Sequence, residues 1–164
     1  MTKILLLSDT HNHLDERILH YCNESDEIWH AGDVGNFSVI ETLEKIKPLK
    51  GVYGNIDGDK VRRVFPEVNR FKCEEVDVMM RHIAGRPEKY VPEVKAVMEK
   101  DPPKIFICGH SHILLVKFST TYNCLHLNPG AAGISGFHKV RTMLRFVIDR
   151  KDIRDLEVIE LGKR

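Results

Sequence analysis

The first sixty residues of the chain combine short continuous apolar runs with apolar positions at helical spacing. The continuous runs are Lys3–Leu7, Glu27–Ala31 and Leu49–Tyr53, and each is typical of a strand buried on both faces. Apolar residues recur at helical spacing over residues 14–23 and about 38–47, which predicts two helices between these strands. Alternating strands and helices favour a parallel, right-handed α/β arrangement.

Beyond residue 60 the pattern is richer in strands. We predict strands at Val68–Cys73, Val76–His82, Lys104–Cys108, Leu114–Ser119, Leu125–Leu127, Thr142–Asp149 and Ile153–Leu161. The last two are joined by a polar turn that suits a hairpin, and one further helix is predicted at roughly 90–100. The predicted fold class is therefore α/β (α+β in some schemes): two packed sheets flanked by helices, in a single domain over residues 1–164.

The composition excludes some classes of protein. The chain has 164 residues, 42% of them hydrophobic and 30% charged, with a formal net charge of +1. A net charge this small creates no strong overall electrostatic field that would attract nucleic acid or an anionic membrane. We therefore expect neither as a partner. The aliphatic run of Ile4–Leu7 is too short for a signal-peptide core or a membrane span.

The cysteines point to a reducing compartment. The chain has 4 cysteines, which are widely spaced and form no Cys-x-x-Cys pair. A disulfide framework or a zinc knuckle would show closer, regular spacing. We therefore predict reduced, mostly buried thiols in a cytoplasmic protein.

Side chains with oxygen or nitrogen donors follow five of the predicted strands. They are Asp9, His11, Asp33, Asn55, His82, His110 and His112. Taken alone, the pair His110 and His112 would fit a polar turn as well as a chelating site. Strand ends in open α/β sheets, however, form the crevice where ligands bind, and packing alone would favour apolar residues at most of these positions.

The chemistry of these donors points to metal ions. Four imidazoles, two carboxylates and an amide, without thiolate, suit divalent transition metals better than Ca²⁺. Seven ligands are too many for one tetrahedral site and suit two ions that share a carboxylate. We expect Mn²⁺, with Fe²⁺, Ni²⁺, Co²⁺ or Zn²⁺ as alternatives. Two such ions about 3.5–4 Å apart can activate a water and clamp the oxygens of a phosphoryl transfer.

The same residues carry a family resemblance. The blocks Asp9-x-His11, Gly32-Asp33, Gly54-Asn55, His82 and Gly109-His110-x-His112 resemble, in order, the five metal-binding blocks of the calcineurin-like metallophosphoesterases. The chain length and Asn128-Pro129-Gly130 resemble the small single-domain YfcE-like branch of that superfamily. The resemblance implies a two-sheet sandwich flanked by helices, with a dinuclear metal site at the strand ends.

The resemblance also implies roles for the ligands. One metal would be held by Asp9, His11, Asp33 and His112, and the other by Asp33 as a bridge with Asn55, His82 and His110. The implied activity is phosphodiester hydrolysis of a small substrate by a hydroxide that bridges the ions. Asp33, Asn55, His82 and His110 would form the catalytic set, and Asn55 would also touch the phosphate.

The chain departs from the family pattern at two positions. Ile56 follows Asn55 where many members have a catalytic histidine, and isoleucine cannot donate a proton. A general acid contributes roughly 10²–10⁴-fold, so we expect an acid from elsewhere or a substrate with a good leaving group, such as an aryl phosphodiester. The second departure is His82-Ile83-Ala84-Gly85 in place of His-Gly, although its spacing from the neighbouring blocks still fits.

Other polar residues receive roles outside the set of ligands. Asp57 and His30 are expected to orient the ligands from behind. His138 and Arg141, near a glycine-broken loop, are candidates for substrate binding, and His138 is also a candidate for the missing acid; the alternative is a solvated basic loop. Arg62-Arg63 and Arg81 are expected to be solvated charges.

Two other functions compete with the enzymatic one. The fold could serve as a metal-binding scaffold without activity, like the retromer subunit that resembles this family, or the ions could only stabilise the fold. The retention of all the histidine and aspartate ligands favours the enzyme. The resemblance to compact relatives that self-associate implies a homo-oligomer.

Overall fold

The computed structural model describes residues 1–164, which form two five-stranded sheets packed against each other with helices outside. The strands are β1 (Thr2–Leu7), β2 (Glu27–His30), β3 (Leu49–Gly51), β4 (Val68–Cys73), β5 (Val76–Arg81), β6 (Gly85–Arg86), β7 (Lys89–Tyr90), β8 (Ile105–Ile107), β9 (Leu114–Ser119), β10 (Cys124–Pro129), β11 (Val140–Asp149) and β12 (Asp152–Lys163). The helices are α1 (Glu16–Glu24), α2 (Phe37–Ile46), α3 (Asp59–Val64) and α4 (Pro92–Lys100).

The first sheet has the order β12-β11-β1-β2-β3. Strands β1, β2 and β3 are parallel, and β11 runs antiparallel to β1. This pairing confirms the predicted parallel arrangement at the start of the chain. Strands β11 and β12 form the predicted hairpin, in which Asp149 lies opposite Asp152.

The second sheet has the order β4-β5-β8-β10-β9, with β5, β8 and β10 parallel. The outer strands β4 and β9 run antiparallel to their neighbours. A short separate hairpin of β6 and β7 follows β5. The parallel strands of both sheets end on the same side of the molecule, where the predicted ligands lie.

Three apolar clusters fill the spaces between these layers. The largest side chains between the two sheets include Trp29 and Phe146, whose rings meet edge to face 5.7 Å apart. A second cluster packs α1, α2 and α3 on the first sheet, and a third packs α4 on the second sheet. The two-sheet architecture with helices outside is the predicted one.

The structure differs from the prediction mainly in short elements. Helix α3 buries only Val61, so its sequence carries too few apolar repeats to indicate a helix. The β6–β7 hairpin is exposed and only two residues long on each side. Helix α1 begins two residues later than predicted because Asp15 caps it, its side chain accepting a hydrogen bond from the Ile18 amide at 3.0 Å.

All four cysteines are buried and unpaired, as predicted. Burial raises the pKa of the Cys22 and Cys108 thiols to about 12, so both stay protonated at neutral pH. None of the helices has the length and apolarity that a membrane crossing requires.

Candidate metal centre

The loops after five parallel strands bring all seven predicted ligands to one place. Asp9 and His11 follow β1, Asp33 follows β2, and Asn55 follows β3 in the first sheet. His82 follows β5, and His110 and His112 follow β8 in the second sheet. Backbone hydrogen bonds join these loops, from the Asp9 amide to Gly32 at 2.9 Å and from the Gly109 amide to His82 at 3.1 Å.

Six of these residues form two groups of converging ligand atoms. Asp9, His11 and His112 form one group, and Asp33, His82 and His110 form the other. Within each group the ligand atoms lie within 4.8 Å of one another. Asn55 joins the second group because its Oδ1 lies 2.9 Å from Nδ1 of His110. The division matches the one that the family resemblance implies.

The Asp9 carboxylate is fully buried and is fixed from one side. Its Oδ2 accepts hydrogen bonds from the Ser8 hydroxyl at 2.6 Å and from the His110 amide at 3.2 Å. Its Oδ1 has no hydrogen-bond donor and lies 3.2 Å from Nε2 of His112. One oxygen is thus held by the protein while the other faces the ligand cluster.

Asp33 lies at the centre of the cluster. Its Oδ1 accepts a hydrogen bond from the Ile56 amide at 3.1 Å. Its Oδ2 lies 3.4 Å from Nε2 of His11 and 3.3 Å from Nε2 of His82, one residue from each group. Burial alone would raise the pKa of the Asp33 carboxyl, but the neighbouring His82 imidazole and the hydrogen bond from the Ile56 amide lower it below its usual value.

His82 is oriented by the backbone of the neighbouring strand end. Its Nδ1 donates a hydrogen bond to the Ala31 carbonyl at 2.7 Å, which leaves the lone pair of Nε2 directed at the cluster. Gly32 lies directly behind the ring, and a Cβ at that position would lie 2.6 Å from Nδ1 of His82. The glycine of the Gly32-Asp33 block is therefore required by this close approach and by its φ of +98°.

His112 is oriented by another histidine. Its Nδ1 lies 3.2 Å from Nδ1 of His138, and Nε2 of His138 donates to the Gly133 carbonyl at 2.8 Å. The Nδ1 of His138 is therefore the acceptor, and His112 donates to it. Both ring nitrogens of His138 are used in these contacts, so His138 stands behind a ligand and the structure gives it no free nitrogen for substrate or for acid catalysis.

The donor set fits divalent metal ions. Three buried polar atoms have no hydrogen-bond partner, namely Oδ1 of Asp9, Nε2 of His11 and Nε2 of His82. All three face the same space, and such atoms are costly unless a cation or a donor completes them. Two ligands of one ion, each about 2.1 Å from it, lie about 3.0–3.4 Å apart at angles between right and tetrahedral. The 3.2 Å and 3.3 Å separations of the His112–Asp9 and His82–Asp33 pairs fall within that span.

Asp57 ties the loops of the site together. Its carboxylate accepts backbone hydrogen bonds from Gly35 at 2.8 Å, from Gly54 at 2.7 Å and from Val34 at 3.2 Å. These amides belong to the loops that carry Asp33 and Asn55. The contacts place Asp57 behind the ligands, in the orienting position that the sequence predicted.

His30 also lies behind the site. It is fully buried, its Nε2 contacts the Thr10 hydroxyl at 3.0 Å, and its Nδ1 accepts from the Gly32 amide at 3.2 Å. Burial lowers the pKa of His30 to about 4, so the ring is neutral at physiological pH. Its contacts order the loops that carry Asp9 and Asp33.

Arg141 does not fit the substrate role suggested for it from sequence. The side chain is buried, its Nε donates to the Ala132 carbonyl at 2.8 Å, and its Nη2 pairs with Asp15 at 2.7 Å. These contacts fix the loop after β10 to the start of α1. The guanidinium serves the fold, and the prediction of a substrate contact is corrected.

Sequence reasoning missed a cavity beside the second group of ligands. Its volume is about 400 Å³, and Asn55 and His82 line it together with two arginines from distant parts of the chain, Arg62 and Arg81. Both arginines were expected to be solvated charges: Arg62 is exposed, as expected, whereas Arg81 is half-buried. Nothing in the sequence indicates that these two arginines are neighbours, because α3 and β5 bring them together only in the folded chain.

Comparisons with known proteins agree with this geometry. A family model described as the calcineurin-like phosphoesterase superfamily domain matches residues 2–151. A probable metallophosphoesterase of Methanothermobacter thermautotrophicus is 23% identical over 162 residues, which cover 96% of this chain and 91% of that protein. A 73-residue stretch is 32% identical to the small ribosomal subunit protein uS4 of Parvibaculum lavamentivorans, over 44% of this chain and 35% of that protein. The chain thus spans about a third of the length of uS4.

Solved structures share the fold along nearly the whole chain. YfcE, a phosphoesterase from E. coli, matches with a TM-score of 0.66 and 18% identity, over 94% of this chain and 98% of that one. Vps29 of Entamoeba histolytica, complexed with zinc, matches with a TM-score of 0.74 and 17% identity, over 96% and 98%. These likenesses show the two-sheet fold and no more.

Proposed function

Because the chain belongs to the calcineurin-like phosphoesterase superfamily, we propose that it is a phosphodiesterase that depends on two divalent metal ions. The observation that carries this proposal is the convergence of three buried, partnerless ligand atoms on the space beside Asp33. The position of an Asp33 carboxylate oxygen between histidines of two separate groups supports two ions that share this residue. The mixed imidazole and oxygen donors suit divalent transition metals, and we propose Mn²⁺ as the ion used.

The bound ions would lower the pKa of a water to near neutrality and offset the charge of the phosphate. Hydrogen bonds from behind the site hold three of the ligands in place. Ser8 fixes Asp9, the Ile56 amide fixes Asp33, and the Ala31 carbonyl fixes His82. Such preorganisation limits the reorganisation that the reaction requires.

Asn55 and His110 form the exposed edge of the site. Asn55 uses Oδ1 toward His110, and its Nδ2 makes no hydrogen bond within the protein. That amide is therefore free to donate to an oxygen of the substrate phosphate. Both residues are exposed, which suits groups that must meet a substrate from solvent.

The substrate preference follows from Ile56. Its side chain is 47% exposed beside Asn55 and offers no proton, and both nitrogens of His138 are already in use. The site therefore has no evident acid for an alkoxide leaving group. We propose diesters with good leaving groups, such as aryl phosphodiesters, as substrates in preference to alkyl monoesters.

The alternative is a metal-binding scaffold without activity. The zinc complex of Entamoeba histolytica Vps29 shares the fold, so metal binding alone does not separate the two functions. Turnover separates them. A scaffold binds Mn²⁺ and hydrolyses no diester.

The test is a diester assay after chelation and addition of Mn²⁺. We expect hydrolysis of bis(p-nitrophenyl) phosphate to return with Mn²⁺ and to exceed that of p-nitrophenyl phosphate. Asp33→Asn and His110→Ala should each lower kcat/KM by more than about 100-fold, the upper end of losses seen for residues that only orient ligands. Arg63→Gln, an exposed change on α3, is the matched control and should keep full activity.

Two outcomes would contradict the proposal. Background rates that are equal in wild type, Asp33→Asn and His110→Ala would show that the cluster is not the active site. A strong preference for the monoester would overturn the assigned substrate class.

A further inference from the structure

The cavity beside Asn55 and His82 has the features of a second binding subsite. Its volume of about 400 Å³ lies in the range of small-molecule sites. Asn55 and His82 form one wall, and the rest of the lining includes Tyr53, two arginines and two carboxylates, namely Arg62, Arg81, Glu67 and Glu93. Because these two residues also belong to the ligand cluster, a group bound in the cavity would lie next to a phosphate held at the metal centre.

Arg62 is held in place with two free donors. Its Nε donates to the Asp57 carbonyl at 2.6 Å, and its guanidinium lies 4.4 Å from the centroid of the Tyr53 ring. Its two terminal nitrogens have no acceptor in the protein. The contact with Asp57 is also the link to the site, because Asp57 orders the loop of Asn55. An oriented guanidinium with unused donors matches the oxygens of a phosphoryl group.

Arg81 has a weak counter-ion. Its Nη2 lies 3.3 Å from Glu67, whose side chain is 59% exposed while that of Arg81 is 17% exposed. A pair so open to solvent on one side contributes little. Glu67 thus screens Arg81 when the subsite is empty, and a phosphoryl group with its full charge can take its place.

The missing acid and the two arginines have a common explanation. The leaving group of a phenyl ester has a pKa of about 10, whereas a phosphate monoester ionises with a second pKa of about 6. A leaving group that is itself a phosphate therefore departs without being protonated. Its departure does not require the general acid that is missing at Ile56. It also departs as an anion, which Arg62 and Arg81 are placed to receive.

We propose that the natural substrates are disubstituted diphosphates, in which the second phosphoryl group occupies the cavity of Arg62 and Arg81. This inference rests on the proposed phosphodiesterase function. The oxygen of water bonds to the phosphorus at the metal centre, and the bond from that phosphorus to the bridging oxygen breaks. The bridging oxygen leaves with the electron pair on the second phosphoryl group. The products are two phosphate monoesters, and the protons of the water pass to solvent as these monoesters ionise.

The test compares two substrates of the Mn²⁺-loaded protein, diadenosine diphosphate and bis(p-nitrophenyl) phosphate. The readout is the ratio of kcat/KM for the first to kcat/KM for the second. Arg62→Gln and Arg81→Gln should each lower this ratio at least about tenfold, since each removes a charged donor from the second phosphoryl group. Arg63→Gln, on the same helix but outside the cavity, should leave the ratio unchanged. Arg81→Gln serves alone if loss of the Asp57 contact prevents Arg62→Gln from folding.

The outcomes separate this inference from the proposed function. An unchanged ratio in both variants overturns the subsite, and so does an active diesterase that does not cleave diadenosine diphosphate. A protein inactive on every diester refutes the proposed function, and the subsite is then tested by calorimetric binding of the methylene-bridged analogue of diadenosine diphosphate. Binding at least tenfold weaker in Arg81→Gln than in Arg63→Gln supports it, and equal binding overturns it.

Discussion

At the scale of single residues, the metal centre is built from an uncommon backbone conformation. Five of the ligands have positive φ angles, namely Asp9 (54°), His11 (42°), Asp33 (53°), His110 (68°) and His112 (59°). The left-handed region costs a residue with a side chain about 1–2 kcal/mol, and Asp, Asn and His tolerate it best. The surrounding structure holds five residues of one cluster in this conformation, which supports a functional role for the cluster.

The contact between His112 and His138 gives a prediction at this scale. His138→Ala removes the acceptor that fixes the tautomer of His112, so its Nε2 no longer has a set orientation. Affinity for one of the two Mn²⁺ ions should fall about 10–100-fold, as measured by calorimetry, while the other ion is bound as before. His138→Gln, whose side-chain oxygen can accept the same bond, should retain more affinity. Exposed His20→Ala is the control, and equal weakening of both ions would contradict a positioning role.

The residues of the site differ in how far the sequence could predict them. All seven residues that converge in the candidate metal centre were singled out from the sequence, because each follows an apolar run that is recognisable as a strand. Arg62 and Arg81 carry no such marker, since an arginine on a short helix and one at a strand end resemble any solvated charge. The role suggested for Arg141 was wrong because its burial against Asp15 depends on packing over 126 positions of sequence.

At the scale of elements, the long buried strands and the amphipathic helices are the predictable part of the fold. Their apolar patterns extend over four or more residues, as in β1 and α2, and match one periodicity. Helix α3 and the β6–β7 hairpin bury too little to leave a pattern. The candidate site draws on both kinds of element, because its ligands follow the predictable strands and Arg62 of α3 lines the neighbouring cavity.

The cap of α1 gives a prediction on acid stability. The Asp15 pKa is lowered from its usual 3.8 to about 2: burial alone would raise it, but the Ile18 amide and Arg141 favour the charged form. A carboxyl with a lowered folded-state pKa stabilises the protein above its unfolded pKa. That stability is lost as the pH falls from about 4 to about 2.

Asp15→Asn keeps a capping oxygen and removes the charge. At pH 7 the variant should lose about 1–2 kcal/mol of unfolding free energy in urea, since the Asp15 side chain is only 28% exposed. The difference from wild type should shrink between pH 4 and pH 2. Asp59→Asn, in the exposed first turn of α3, is the control. A constant difference across this pH range would show that the charge of Asp15 is not responsible.

At the scale of the whole molecule, the metal centre joins the two sheets. Asp9, His11, Asp33 and Asn55 come from loops of the first sheet, and His82, His110 and His112 from loops of the second. The apolar layer between the sheets, including Trp29 and Phe146, brings these two sets within reach. Ions bound by both sets would link the two sheets at the carboxyl ends of the parallel strands, beyond the apolar layer that packs between the sheets.

This arrangement predicts that metal stabilises the whole protein. Without a cation the buried Asp9 oxygen and two histidine nitrogens lack partners, and burying such atoms unpaired costs free energy. Metal ions that bind the folded protein would remove this cost. Two Mn²⁺ ions, each at about 100 times its Kd, should add about 5.4 kcal/mol together, which raises the Tm of a chain of this size by roughly 10–20 °C. The measurement is the difference in Tm between thermal melts with Mn²⁺ and with chelator. Asp33→Asn should lose most of this difference, and Arg63→Gln should keep it. A wild-type Tm that does not respond to Mn²⁺ would contradict the metal centre itself, independently of any substrate, because the assay involves no turnover.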